Sequence, residues 1–280
     1  MRADRSRLNT LTDAAMEDLA HGFHVPAEAA MLRRLLRTPA GRVAHSVVEF
    51  DDLVDTHGLV AGARWVMVRF AQALLTVGRE TVPPEGPLLA VANHPGVTDA
   101  MALIIALEAR PDLKLLALDR TLLRALPAVA SRLIWVDPRH PASAVRPARD
   151  HLRAGGALLT FPAGTIEPDP MVRSGAVASL HRWSRSTDLL ARHVPGIRVL
   201  PLAVGGVIST RARRTAIARR AATVDDRDWT AGTLQILLPH YRDTEVRVLV
   251  GVPFEAAGPV TPAIVAQMEN LLVQLADGRT

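Results

Sequence analysis

The spacing of apolar positions changes along the chain. Over residues 1–80 they recur at helical spacing, broken where helices stop. A first helix is expected to open at Thr12 or Asp13 and to end at Gly22. Pro26 suits the first turn of a second, which stops at Thr38-Pro39, and a third runs from Gly41 to His57 and closes at Gly58. A fourth spans Ala61–Val77. Val66, Met67, Phe70, Ala71, Leu74 and Leu75 share one broad face, with Arg69, Gln72 and Thr76 opposite, beside Trp65. Such a helix suits either a membrane interface or ordinary amphipathic packing on a domain.

From residue 88 short apolar runs alternate with helical segments. Strands are expected at Leu88–Ala92, Leu113–Ala117, Leu133–Val136, Ala157–Phe161 and Arg198–Ala203. Helices are expected at Asp99–Ala109, Ala142–Arg153 and Gly175–Arg192. This alternation predicts an α/β fold, a mostly parallel central sheet flanked by helices, with an N-terminal helical region. Two more strand-like runs, Leu234–Leu238 and Val246–Val250, lead to a helix at Thr261–Ala276, capped by Thr261 and stopped by Asp277-Gly278. The expected division is a helical region over 1–80, a potential membrane-interface element, and an α/β domain over 81–280.

Composition narrows the chemistry. The 280 residues are 49% hydrophobic but only 4% aromatic, so the core must be aliphatic. Scarce aromatics also argue against single-stranded nucleic acid, which needs stacking platforms, and no nucleic-acid partner is expected. The absence of cysteine excludes disulfides, thiolate metal sites and a cysteine intermediate; no metal is expected. The net charge of +5 comes mostly from arginine and suits an anionic membrane or a phosphorylated substrate. Ser209–Arg220 carries Arg211, Arg213, Arg214, Arg219 and Arg220 and no acid, before Asp225, Asp226 and Asp228. It fits either a solvated, charge-balanced helix or a contact with anionic head groups. No uncharged apolar run of about 18 residues predicts a membrane span, and the basic N-terminus has no apolar core behind it. A cytoplasmic location is the default expectation.

The chemistry concentrates at Leu88–Leu103. A buried strand ends at Ala92, Pro95 and Gly96 mark a turn, and Thr98 suits the N-cap of a helix beginning at Asp99. His94 then lies past the carboxyl end of a strand, the edge where open α/β sheets bind ligands. Asp99 sits at the positive end of a helix dipole, which favours its ionised form. A carboxylate there can accept from one ring nitrogen of His94 and leave the other free as a base. Taken alone, the pair is equally what a turn-capping histidine and a helix-opening aspartate would give. The stretch Gly156–Pro170 repeats the geometry: a strand to Phe161, then a turn of Pro162, Ala163 and Gly164. If this strand runs parallel to the first, both turns face one pocket, and backbone N–H groups near Gly164 could hold a phosphate or polarise a carbonyl.

Together these stretches resemble the glycerolipid acyltransferase family, the family of 1-acylglycerol-3-phosphate acyltransferase. Asn93-His94-Pro95-Gly96-Val97-Thr98-Asp99 resembles its His-x4-Asp block, and Phe161-Pro162-Ala163-Gly164-Thr165 its Phe-Pro-Glu-Gly-Thr block. Ile134-Trp135-Val136-Asp137 resembles the block between them and Val199-Leu200-Pro201-Leu202 the fourth, all in family order over about residues 85–276. Pro138 stands where the family has arginine, with Arg139 next; Ala163 replaces the usual glutamate, and Ile166 the usual arginine, with Glu167 following. The departures fall where the family contacts the acceptor's phosphate and glycerol.

The resemblance implies an O-acyltransferase moving a fatty acyl group from acyl-CoA or acyl carrier protein to a hydroxyl or amine of a lipid acceptor. It needs no cofactor and works peripherally on the inner face of the membrane. His94 would be the general base and Asp99 its orienting partner. Phe161, Pro162, Gly164 and Thr165 would line the substrate site, and Arg139 or Arg173 would supply phosphate contacts. The alternative is a non-catalytic lipid- or membrane-binding protein on a degenerate acyltransferase scaffold.

Overall fold

The computed structural model describes residues 2–25 and 30–278. It begins with helices α1 (Arg2–Gly22), α2 (Ala30–His57) and α3 (Leu59–Phe70), followed by strands β1 (Ala73–Val77) and β2 (Leu88–Ala92). Next come α4 (Asp99–Ala106), β3 (Lys114–Leu118), the short helices α5 (Thr121–Arg124) and α6 (Pro127–Ala130), and β4 (Leu133–Val136). Then follow α7 (Val145–Arg153), β5 (Ala157–Thr160), α8 (Ala176–Ser179), α9 (Ser186–His193) and β6 (Arg198–Gly205). The chain continues through α10 (Thr210–Arg213), α11 (Ala216–Arg219), α12 (Val224–Leu237), β7 (Glu245–Val250), β8 (Phe254–Glu255) and α13 (Thr261–Ala276).

The strands form one sheet in the order β1-β7-β6-β2-β5-β3-β4. Every neighbour pair along that path is parallel except β6–β7, and β8 adds an antiparallel pairing to β6. Helices cover both faces, so central β2 is apolar throughout and its side chains sort by parity. Leu88, Ala90 and Ala92 of β2 join the core beneath α3 and α4. Leu89 and Val91 join the core beneath α7 and α13. All five are fully buried, and each buried leucine contributes about 1.5–3 kcal/mol over exposure.

The N-terminal region departs from expectation in three places. The first helix starts at Arg2, well before Thr12, though it ends at Gly22. Pro26 lies outside the described residues. The expected stop at Pro39 is absent, because α2 continues through it to His57. The carbonyl that loses its donor there belongs to Leu35, which is exposed and open to water. Leu36, Ala40 and Ala44 stay buried along one face across the proline. Third, Ala73–Val77 is not the end of a helix. It forms an edge strand paired with β7, while α3 buries Leu59, Gly62, Ala63 and Met67 and leaves Val68 exposed. The expected strand at Leu234–Leu238 is instead the end of α12, whose start is fixed by a Thr223–Asp226 capping box. Among the described residues no helix is long and apolar enough to cross a membrane.

Candidate active site

β2 and β5 are adjacent and parallel, so the turns that follow them emerge side by side at the carboxyl edge of the sheet. Asn93 continues β2 with its side chain. Its amide donates to the Val204 carbonyl and accepts from the Val204 N–H, both at 2.8 Å, tying the turn to β6. Next, the His94 Nδ1–H donates to Asp99 Oδ2 at 2.7 Å. The Asp99 carboxylate also accepts from the backbone N–H of Gly96 (2.7 Å) and of Ala100 (2.5 Å). Thr98 does not cap the helix as expected: Asp99 takes the Ala100 N–H, and the Thr98 hydroxyl is buried without a partner among the described residues. The turn is strained. Gly96 sits at φ +98°, which suits glycine, but Val97 is held at φ +54°, where a β-branched residue costs about 1–3 kcal/mol. Gly232 of α12 makes room for it, since a Cβ there would lie 2.8 Å from Val97 Cγ2.

Glu167 couples the second turn to the first. Its N–H donates to the His94 carbonyl (2.8 Å), and its Oε2 accepts the His94 N–H (2.9 Å). Its Oε1 accepts from Ser179 Oγ–H and Trp183 Nε1–H, both at 2.7 Å. The carboxylate is buried and serves three donors. Sequence reasoning noted Glu167 only as the neighbour of a departure. The one local signal was an acid within a Pro/Gly-rich turn, and its partners lie 12, 16 and 73 positions away. Two residues on, buried Asp169 accepts from the N–H groups of Gly206, Val207 and Ile208 beyond β6. Burial pushes its pKa up against the pull of those donors.

The His94 ring stacks on Phe161 at 4.5 Å and remains partly open, while Asp99 is buried. Burial draws the His94 pKa down. The charge and hydrogen bond of Asp99, with the charge of Glu167, outweigh it and leave the pKa above the ordinary histidine value.

His94, Phe161, Pro162, Ala163 and Gly164 all line one cavity of about 590 Å³. Its interior wall is aliphatic, with Met101, Ile104, Leu115, Leu123, Val129 and Leu133 from α4, β3, β4 and the short helices between them. Among the described residues no aspartate or glutamate lines it; its basic residues are His94, Arg120 and Arg182. Other expected contacts lie elsewhere. Thr165 is exposed and does not line the cavity, and Arg139 is an exposed residue of the turn after β4. Arg173 points its guanidinium at Asp225 and Asp228 of α12. The Gly164 N–H is taken by the Phe161 carbonyl (3.1 Å), whereas that of Ala163 has no acceptor among the described residues.

The site is thus a histidine–aspartate pair at the carboxyl edge of a mostly parallel α/β sheet, beside an aliphatic cavity. Residues 74–205 match the family model described as Acyltransferase, the segment that holds β2, the His94–Asp99 turn, β5 and β6. Among solved structures it is similar to the 1-acyl-sn-glycerophosphate (LPA) acyltransferase PlsC from Thermotoga maritima, at 18% identity over 98% of each chain with a TM-score of 0.48. No curated protein matches the sequence.

Proposed function

We propose that the chain transfers a fatty acyl group from a thioester, acyl-CoA or acyl carrier protein, to a hydroxyl or amine of a lysolipid-like acceptor. The observation that carries this reading is the Asp99-held His94 at the mouth of an aliphatic cavity. With Nδ1–H committed to Asp99, Nε2 is the nitrogen left to take the acceptor's proton as its oxygen or nitrogen attacks the thioester carbonyl. Asp99, hydrogen-bonded to Nδ1, stabilises the imidazolium. As the tetrahedral intermediate collapses, the C–S bond breaks and the thiolate accepts the proton from His94. A thiol of pKa near 8.5 leaves with little acid help. The unpartnered N–H of Ala163 is the donor available to the oxyanion. The aliphatic cavity holds the acyl chain, each buried methylene contributing about 0.8 kcal/mol.

Contact with an anionic membrane surface is part of the same reading. Arg214, Arg219 and Arg220 are exposed and form no ion pair among the described residues, and Ile217 is exposed between them. Arg211 and Arg213, by contrast, are engaged by Asp243 and Asp228. The test is free-thiol release from long-chain acyl-CoA and acyl carrier protein, with a panel of lysolipid and aminolipid acceptors. Acceptor-dependent release that His94→Ala abolishes supports acyl transfer. Release independent of acceptor points to hydrolysis, and none from either donor, with vesicle binding retained, points to a lipid-binding protein.

A further inference from the structure

The cavity needs a partner for the polar end of its substrate, and Arg182 is placed to be that partner. The segment that carries it is pinned to the active-site turns on its carboxyl side. Trp183 donates its Nε1–H to Glu167, the carboxylate that also accepts the His94 N–H, and the Ser184 N–H donates to the Pro162 carbonyl at 3.0 Å. Arg182 therefore lies one residue from Trp183, the anchor on the carboxylate that holds His94. Arg182 lines the same cavity as His94 and the Pro162–Gly164 turn, with Ser184 and Ser186 beside it. Among the described residues it makes no ion pair or hydrogen bond, whereas Arg173 is held by two aspartates. Arg120, the other arginine of the lining, has Asp18 at 3.6 Å. A guanidinium without a counterion, in a lining without acids, is a site for an anion.

We infer that Arg182 binds the anionic group of the substrate, a phosphate or carboxylate, and so sets which substrate is accepted. The inference rests on the acyl-transfer reading. It also accounts for a chain that lacks the family's usual basic residues at Pro138 and Ile166: the positive charge enters the site from the segment between α8 and α9 instead.

The anion could belong to the acceptor's head group or to the nucleotide of acyl-CoA, and kinetics separate the two. Arg182→Gln and Arg182→Lys would be assayed with 1-acylglycerol-3-phosphate and with neutral monoacylglycerol, using acyl-CoA or acyl-pantetheine as donor. For an acceptor site, Arg182→Gln should raise the KM for the phosphate acceptor by about tenfold to a hundredfold, the range of charge-assisted hydrogen bonds. The neutral acceptor should lose far less, kcat should fall by less than about threefold, and lysine should restore most of the loss. A KM increase for acyl-CoA but not for acyl-pantetheine would place the donor's phosphates there. Equal KM values in wild type and Arg182→Gln for every substrate would overturn the proposal. A direct measurement, calorimetric binding of dodecyl phosphate, does not depend on turnover. If no donor–acceptor pair reacts, the acyl-transfer reading fails, and binding still decides this one: at least about tenfold weaker binding by Arg182→Gln supports it, and equal affinity overturns it.

Discussion

Two turns leave the same edge of the sheet, one after β2 and one after β4, and they are built in opposite ways. The turn after β2 is held from afar: Asn93 by Val204, the His94 backbone by Glu167, and Val97 against Gly232. It stores strain at Val97 and keeps its histidine fixed against Asp99 and Phe161. The turn after β4 is held only by itself. The Arg139 N–H donates to Asp137 Oδ1 at 2.8 Å, and His140 folds back on Asp137, all exposed and within four residues. The general base proposed for His94 needs a fixed geometry, and the first turn supplies one. The second cannot position a guanidinium in this way, although the family places a phosphate contact near it.

The largest break in that contrast is His94→Ala. Without the general base, acyl transfer should fall by roughly 10²–10⁴ in kcat while the fold survives, since the ring is partly open. A loss below tenfold would remove His94 from the chemistry. Glu167→Ala should come next and act differently, because it strips the acceptor from His94 N–H and Trp183 Nε1–H at once, while Ser179 Oγ–H keeps the Ala176 carbonyl at 2.6 Å. At about 1–3 kcal/mol for each of the two buried donors left unmade, the fold should lose roughly 2 kcal/mol or more. Glu167→Gln should fall between, because its amide nitrogen must face at least one donor. Denaturant melts of the three proteins check this, and a glutamine variant as stable as wild type would show that the clamp needs no carboxylate.

A smaller effect is readable in pH. His94 must be neutral to act as base, and its folded pKa lies above the ordinary value of about 6.5. kcat/KM should therefore rise with pH through an inflection above about 6.5, and Asp99→Asn should move that inflection down, since burial alone lowers the pKa. The stability consequence has the opposite slope. A pKa raised by folding gives stability that is fully present below the unfolded value and fades as pH climbs through the folded one. Wild type should thus exceed Asp99→Asn in stability by more at pH 5 than at pH 9. An inflection unmoved by the substitution would mean that Asp99 does not set the protonation of His94.

What was legible in the sequence follows the same division between local and distant. β2, β4 and the extent of α13 were legible because apolar runs and glycine or proline stops act within a few residues. The His94–Asp99 pair was legible because both ends lie on one turn and helix start. The strand at Ala73–Val77 was not, since its sheet partner, β7, begins 172 positions after it. Its apolar run extends the periodicity of α3, so the pattern alone reads as helix. Leu234–Leu238 misled in the opposite direction, and the Thr223–Asp226 box was the signal that a helix already ran into it. Glu167 and Arg182 escaped because each gains its role from contacts made only when β2, β5 and the segment before α9 come together.

The smallest expected effect is the sharpest control on the comparison. Arg139→Ala removes a side chain from an exposed turn whose hydrogen bonds use the Arg139 backbone and the Asp137 carboxylate, not the guanidinium. Its stability should stay within about 0.5 kcal/mol of wild type, as for surface positions without a special partner. Its acceptor KM should stay within about twofold, because a single charge that is not anchored at the site is screened over about 8–10 Å. The measurement pairs it with Arg182→Gln under identical conditions, since both remove one exposed positive charge and net charge then cancels from the difference. A tenfold KM effect at Arg139, with none at Arg182, would mean that the turn after β4 closes over the cavity when the acceptor binds. The two turns would then differ in the free protein alone, and the site would be completed by substrate.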